Sequence, residues 1–539
     1  MVLPDFPPGL RGLGRWAGAL VLGVVLAGPA LAAPQGFARA LAGAFGERDA
    51  VLAAFYRDRA YADLWTGADD ADRRGALLAA LGTAPLHGLP IARYDAAAFR
   101  LALASARTEA DRARIEAGLS RAFLDFASDL AAGALRPGAV DADIKRNPER
   151  PDHAALLARA EAGAVALAGL LADLVPPQPQ YARLMKEKIA LEAQIAAGAS
   201  LPAIAAERLE LGDGGAEVVT LRRKLRQLGY LGPSARQDFD RVMAKAVQRF
   251  QTDMGLPVDG VVAGSTRAAL NATAQDRLRA VVVALERLRW MGQTDLSLRH
   301  VWVNQPTFSV QIMDRGKAVF DSRVVIGKNG AQTRSPEFSD QMQFMVVNPS
   351  WSVPRSITTQ EYLPLLRQDP GAVSHLQLID SEGRVVPRDG IDFAAYSESS
   401  FPFALRQAPS DGNALGKVKF MFPNPHNIYL HDTPEKKLFG HEVRAYSHGC
   451  IRVGSPVDFA HALLSLQSDD PQGLFAAVLA GGQESRLDLD QPLPVHLVYF
   501  TAWPNARGVI SYRADVYGRD ARIFDALVEA GLAPAAVQG

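Results

Sequence analysis

The sequence predicts a multidomain α+β protein: an N-terminal all-α scaffold, a small three-helix unit, and a C-terminal β-sandwich-type domain carrying a lid insertion. Three observations carry this reading. At 539 residues and 48% apolar, the chain exceeds what one hydrophobic core organises. Its apolar residues recur at helical spacing in the first half and at every second position from Leu298 onward. Clusters of Gly, Pro, Asn and Asp punctuate it into compact blocks.

Taken in order, residues 1–33 read as an export signal. Arg11 and Arg15 form a short basic region, residues 16–27 are apolar, and Ala30-Leu31-Ala32 is a small-x-small cleavage site. Cleavage after Ala32 or Ala33 is expected; the alternative is a retained membrane anchor, which Gly28-Pro29 interrupts. Residues 34–205 are rich in Ala, Leu, Arg and Glu, with helical stripes such as Ile115, Leu119, Phe123, Phe126 and Leu130. No catalytic constellation stands out there, and His87 beside Gly88 reads as a loop residue.

Residues 212–273 punctuate as three short helices: Val218, Leu221 and Leu225 on the first, Val247, Phe250 and Met254 on the second, and Ser265-Thr266 opening the third after an Asp259-Gly260 turn. Residues 298–510 form the β domain. Val301 and Val303, then Phe308, Val310 and Ile312, alternate with polar residues, and Asp314-Arg315-Gly316 turns the chain into a strand at 318–326. Further strands are expected at 342–347, 418–422, 428–431 and 495–500. The long insertion at about 352–420, with a helix at 359–367, has the length of a lid rather than a connector. Residues 511–539 close with a helix.

The formal charge is zero, with 58 basic and 58 acidic residues, so nothing argues for nucleic acid or an anionic membrane surface as partner. A membrane contact is expected only through an uncleaved N-terminal segment. No Gly-rich phosphate loop is present, so neither ATP nor a redox cofactor is predicted.

Chemistry concentrates around the chain's one cysteine, Cys450, in Tyr446-Ser447-His448-Gly449-Cys450-Ile451-Arg452, downstream of His431 in Ile428-Tyr429-Leu430-His431-Asp432. A free thiol is only a few per cent thiolate at neutral pH, so cysteine catalysis needs an imidazole to take its proton, and two histidines are within reach by sequence. Most lone cysteines are small buried hydrophobes. Against that stand the flanking Gly449, which permits a tight turn of N–H groups, and the rarity of Ser-His-Gly-Cys, expected by chance in about one such chain in a thousand. Zinc ligation by His431, His441, His448 and Cys450 is the competing reading. It is disfavoured because no Cys-x-x-Cys or His-x-x-x-His pair is present, and no metal is predicted.

At these residues the chain resembles the L,D-transpeptidases of bacterial cell walls, whose YkuD-type catalytic domain carries His, about fifteen residues, then Ser/Thr-His-Gly-Cys, an apolar residue, and Asn or Arg. The resemblance extends through Asn348-Pro349-Ser350-Trp351, Asn413-Ala414-Leu415-Gly416 and Tyr499-Phe500-Thr501-Ala502-Trp503. Phe55-Tyr56-Arg57 and His87-Gly88-Leu89-Pro90 are similar to the helical scaffold of the family's large branch, and Leu228-Gly229-Tyr230 with Phe250-Gln251 resembles its small peptidoglycan-binding domain. One departure is Ser410, where that branch often has Gly.

The resemblance implies a cysteine acyl transfer from a tetrapeptide stem, with release of D-Ala, in the periplasm. Cys450 is the implied nucleophile and His431 the preferred base, its second nitrogen held by a backbone carbonyl near Asp432. His448 is the alternative base or a wall of the acyl pocket, and the N–H groups of Gly449 and Cys450 are the oxyanion donors. Ser447, Arg452, Tyr429 and Trp351 are the implied substrate contacts, with Arg452 holding a carboxylate or pairing with a structural acid. Peptidoglycan stems and glycan are the implied partners, other wall synthases further ones, and carbapenems implied acylating agents. The alternatives are an L,D-carboxypeptidase on the same bond and a non-catalytic wall-binding protein.

Overall fold

The computed structural model describes residues 35–533; the expected export signal lies outside the described residues. The first part is helical, built around α1 (Glu109–Ala132), which Thr108 caps reciprocally with Asp111, their side chains satisfying each other's N–H groups. Its stripe of Leu119, Phe123, Phe126 and Leu130 is buried as the periodicity predicts. Glu116, on the same helix, is fully buried and accepts the N–H groups of Leu64 (2.6 Å) and Thr66 (2.9 Å), so one carboxylate satisfies a loop that has no ladder of its own. His87 lies in a turn, but it is buried: Nδ1 is 3.1 Å from the Tyr181 hydroxyl on α2 (Pro179–Ala196), and burial pushes its pKa down to about 4.

The three-helix unit follows as α3 (Ala216–Gln227), α4 (Arg241–Met254) and α5 (Gly264–Asn271), packed on Val218, Leu221, Leu225, Val247 and Phe250. α4 ends at Gly255, which adopts the left-handed cap with φ of 60°. A two-residue ladder between 208–209 and 262–263 ties the unit's entry to its last turn. Beyond it comes α6 (Ala274–Trp290), a helix that the periodicity reading does not single out. It packs back on α2 and shares the scaffold core, so the chain leaves the three-helix unit through the scaffold.

The β domain consists of β1 (His300–Asn304), β2 (Ser309–Asp314), β3 (Lys317–Gly327), β4 (Phe338–Val347), β5 (Val418–Met421), β6 (Leu430–His431), β7 (Ala445–Ser447), β8 (Ile451–Val453) and β9 (Ser485–Val498). The expected sandwich takes the form of one sheet that curls onto itself. Strands run in the order β3-β8-β6-β5-β4-β9-β1-β2, and β2 pairs again with β3 to close the circuit. Val301, Val303, Val310, Ile312, Phe420, Leu430, Ile451 and Val495 point into the enclosed core, all at 0% exposure. Helix α7 (Pro456–Leu464) lays Phe459 edge-on against Phe420, ring centroids 4.7 Å apart. β7 runs parallel to the end of β3 and β8 antiparallel to it, which brings the two flanks of Cys450 onto one strand, and β6 runs parallel to β8.

Residues 351–407 build their own four-stranded sheet, in the order 351–352, 404–407, 377–379, 385–386, over a separate core of Leu363, Leu366, Leu378 and Phe393. The insertion is therefore a folded subdomain. Its helix is longer than the expected 359–367: Arg355–Ile357 is α-helical, Thr358–Tyr362 is a π-turn and Leu363–Gln368 resumes the α form.

The closing helix α8 (Arg519–Glu529) belongs to the scaffold core rather than to a free tail. Arg519 is fully buried and lies 3.3 Å from Glu337 and 3.6 Å from both Asp141 and Asp143, while Arg287 of α6 pairs with Glu337 (3.3 Å) and Asp520. Breaking a buried pair from one side leaves uncompensated charge, costing about 3–5 kcal/mol. Arg519→Met is therefore expected to lower unfolding stability by that order in a urea titration; an unchanged midpoint would show that the acids rehydrate freely.

Candidate active site

Register places the site's side chains. Leu430 pairs with Ile451 and His431 with Arg452, in parallel, while His431 also faces Lys419 on β5. Successive side chains alternate across a strand, so Leu430 and Ile451 point into the core and the other parity lies on the opposite face. That face carries Lys419, His431 and Arg452 in one row, and one step back Tyr429 beside Cys450. The rings of Tyr429 and His431 meet edge to face, centroids 5.6 Å apart.

His431 is 5% exposed, and its Nδ1–H donates to the carbonyl of Asp432 at 2.5 Å, which leaves Nε2 as the acceptor nitrogen. Burial, reinforced by the charge of Arg452, pushes its pKa down to about 3. The Asp432 carboxylate is engaged elsewhere, accepting the N–H groups of Lys417 (2.8 Å) and Thr433 (2.6 Å) and pairing with Lys436 (2.5 Å). It presses on Gly416, whose φ of 60° and missing side chain make room for it. The preceding turn closes from Asn413 N–H to Ser410 O at 3.0 Å, so serine is accommodated at the position where the family often has glycine.

Cys450 is half-buried, and its Sγ lies 3.6 Å from the Asn427 carbonyl. Burial pushes the thiol up to about 11, opposed by hydrogen bonds from the backbone and phenol of Tyr429 and by the charge of Arg452. With the thiol raised and the His431 imidazole depressed, both groups rest neutral, with no preformed thiolate or imidazolium. Alkylation of Cys450 by a small electrophile is accordingly expected to accelerate about tenfold per pH unit from 7 to 10. A plateau below pH 8 would contradict the neutral pair.

Several expected roles change. Gly449 has φ of 113°, which favours glycine, but its N–H donates to Ser447 Oγ at 3.2 Å and is not presented to a substrate. Of the expected oxyanion donors only the Cys450 N–H remains without a partner among the described residues. Ser447 does not face substrate: it is 2% exposed and its hydroxyl donates to the Cys450 carbonyl at 2.6 Å, bracing the turn. His448 turns away from the expected acyl pocket, its Nε2–H donating to Glu361 of the insertion's π-turn at 2.6 Å. Arg452 is paired with Glu435 at 2.5 Å, the structural-acid alternative. Trp351 stands on the insertion sheet, its ring edge-on to Tyr362 at 6.4 Å.

Three residues escape the sequence reading. Ser335 accepts the Gly327 N–H (3.0 Å) and donates to the Gly449 carbonyl (2.7 Å), and the Tyr517 hydroxyl donates to the Gly327 carbonyl (2.6 Å), so the loop after β3 and the segment before α8 clamp the cysteine turn. Lys419 is the third, a half-buried ammonium whose pKa burial lowers, standing next to His431. No motif marks any of them. Among the described residues no cluster of His, Cys, Asp and Glu could hold a metal ion.

Comparison with known proteins places three stretches of the chain in described families. Residues 298–482 match the family described as the L,D-transpeptidase catalytic domain, residues 50–187 a scaffold domain, and residues 214–270 a family described as "Putative peptidoglycan binding domain". A Haemophilus influenzae protein named "Putative L,D-transpeptidase" is 33% identical over 225 residues, 41% of this chain and 45% of that protein; the chain thus spans under half the length of this curated relative. Crystal structures of L,D-transpeptidases from Xylanimonas cellulosilytica (17% identical, covering 55% of this chain and 100% of that one, TM-score 0.18) and Stackebrandtia nassauensis (15%, 55% and 97%, TM-score 0.21) align too distantly to inform the geometry. Over residues 298–482 the chain matches the family of L,D-transpeptidase catalytic domains, and the preceding matches are to a scaffold domain and to a peptidoglycan-binding-type domain.

Proposed function

We propose that the protein is an exported peptidoglycan L,D-transpeptidase acting in the periplasm, which transfers the acyl group of a tetrapeptide stem to an amine acceptor and so forms 3→3 cross-links. The observation that carries this reading is the β6–β8 register, which sets Cys450 and His431 two positions apart on one face of the sheet, together with an imidazole whose Nδ1–H is committed to a carbonyl and whose Nε2 is therefore an acceptor.

In the proposed reaction, His431 Nε2 takes the thiol proton as Sγ attacks the carbonyl of the third stem residue. General-base action fits a neutral resting pair. The oxyanion forms beside the free Cys450 N–H; a donor of this kind is worth about a hundred- to thousand-fold in rate. The tetrahedral adduct collapses to a thioester as imidazolium returns its proton to the departing D-Ala amine. An acceptor amine then attacks the thioester, gives its proton to the imidazole, and releases the thiol. With Arg452 held by Glu435, Lys419 is the cation free to meet a stem carboxylate.

Incubating the purified chain with disaccharide-tetrapeptide and resolving the products by mass tests the reading. Cross-linked dimers are expected. Tripeptide alone would indicate a carboxypeptidase, and unchanged substrate a wall-binding protein without turnover.

A further inference from the structure

A crevice of about 710 Å³ separates the three-helix unit from the catalytic sheet. Four arginines line it, Arg277, Arg323, Arg444 and Arg513, against the one carboxylate of Glu442. Their hydrogen bonds go to backbone carbonyls and to the Ser511 hydroxyl, and none of the four is in an ion pair among the described residues. Arg444 is largely spent on four carbonyls, whereas Arg323 makes one such bond and the buried Nε of Arg277 makes none. Burial lowers the pKa of Arg444 and Arg513, and the charge of Arg323 lowers that of Arg444 further, yet guanidinium keeps its proton at neutral pH. Like charges gathered in a partly desolvated crevice are costly unless an anion joins them.

The crevice wall also leads directly to the nucleophile. Residues 440–444 continue into β7 and the cysteine turn, and the six steps from Arg444 to Cys450 span at most about 22 Å even if fully extended. The charges lie on both walls, interleaved with Met254, Leu256, Phe308 and Tyr512, rather than converging on one point. That layout suits an extended chain with spaced carboxylates and apolar side chains better than a compact phosphate.

We propose that this crevice binds the carboxylate-bearing stem peptide of a second wall strand and presents it as acceptor to the Cys450 thioester. This inference rests on reading the protein as a wall transpeptidase. It assigns the joint between two domains a task that neither domain has alone.

Calorimetry on the full chain carrying Cys450→Ser, which blocks turnover, tests it with disaccharide-tetrapeptide and with the same compound after its carboxylates are amidated. The parent is expected to bind the free acid at least tenfold more tightly than the amide. Arg323→Gln with Arg513→Gln should erase that preference, and Arg323→Lys with Arg513→Lys should restore most of it. Equal affinity for acid and amide on the parent overturns the proposal, as does displacement of the muropeptide by an equal concentration of inorganic phosphate. If the glutamine pair fails to fold, Arg323→Gln and Arg513→Gln are read singly, each expected to lose most of the preference, and its full retention in both overturns the proposal. Failure of the enzymatic reading shows separately, as absence of Cys450 acylation by a carbapenem on the unmutated chain.

Discussion

Replacing Cys450 by alanine is expected to abolish both cross-linking and acyl-enzyme formation while leaving the melting curve of the protein unchanged. The side chain is small and half-buried at the edge of the core, and its polar contacts, to the Asn427 carbonyl at 3.6 Å and to Tyr429, are weak thiol bonds, so its loss removes little packing. The turn it sits on is held by other groups: Ser447 on the Cys450 carbonyl, Ser335 on the Gly449 carbonyl, and Tyr517 on Gly327. Those bonds involve backbone atoms or other side chains, which alanine retains. Activity should fall below detection, because no second thiol exists in the chain to take over. Cross-linking above a few per cent of the parent rate would remove Cys450 from the nucleophile's role.

The second large effect is expected at His431. Without its Nε2, the thiol has no neutral base beside it, and at a pKa near 11 it remains protonated at neutral pH. General-base action of this kind is worth about 10²–10⁴-fold, so His431→Ala should slow acylation by that order, with partial recovery above pH 10 as the thiol ionises unaided. His448→Ala should behave differently. Its imidazole bonds Glu361, so its loss, like Glu361→Gln, loosens the insertion from the cysteine turn. Both substitutions should raise the KM for stem peptide several-fold with little change in alkylation of Cys450, and combining them should add nothing, because they remove one shared contact. Stopped-flow acylation of the three variants separates the histidines; a larger loss at His448 would exchange their roles.

Much of this molecule was legible in its sequence, for reasons that are local. Alternation in Val301, Val303, Val310 and Ile312 marks inward-facing strand positions whatever the topology, and the Ile115–Leu119–Phe123 stripe marks a helix face in the same way. Closure of the sheet was not legible, because the β2–β3 pairing that completes the circuit uses the same alternating pattern a sandwich would. Nor were the three-residue strands β7 and β8, too short for a period to register, although β6 falls within the strand expected at 428–431. They position the site, since the parallel β6–β8 register sets Cys450 near His431.

At the site itself, residue types were legible but their bonding was not. Ser447, Gly449 and Arg452 stand in a motif that reads as substrate-facing, yet each is engaged by a partner that only the fold supplies: the Cys450 carbonyl, Ser447 Oγ and Glu435. Lys419 and Ser335 reach the site from strands and loops far away in sequence, which no motif scan detects.

In the proposed reaction Cys450 carries the stem as a thioester before any acceptor arrives. Mixing the full chain with disaccharide-tetrapeptide, quenching in acid and measuring the intact mass tests it most directly. The expected product is an adduct equal to the muropeptide less one alanine, mapped to the peptide containing Cys450 and absent from Cys450→Ala. Release of alanine with no such adduct, or an adduct that persists in the alanine variant, would contradict it.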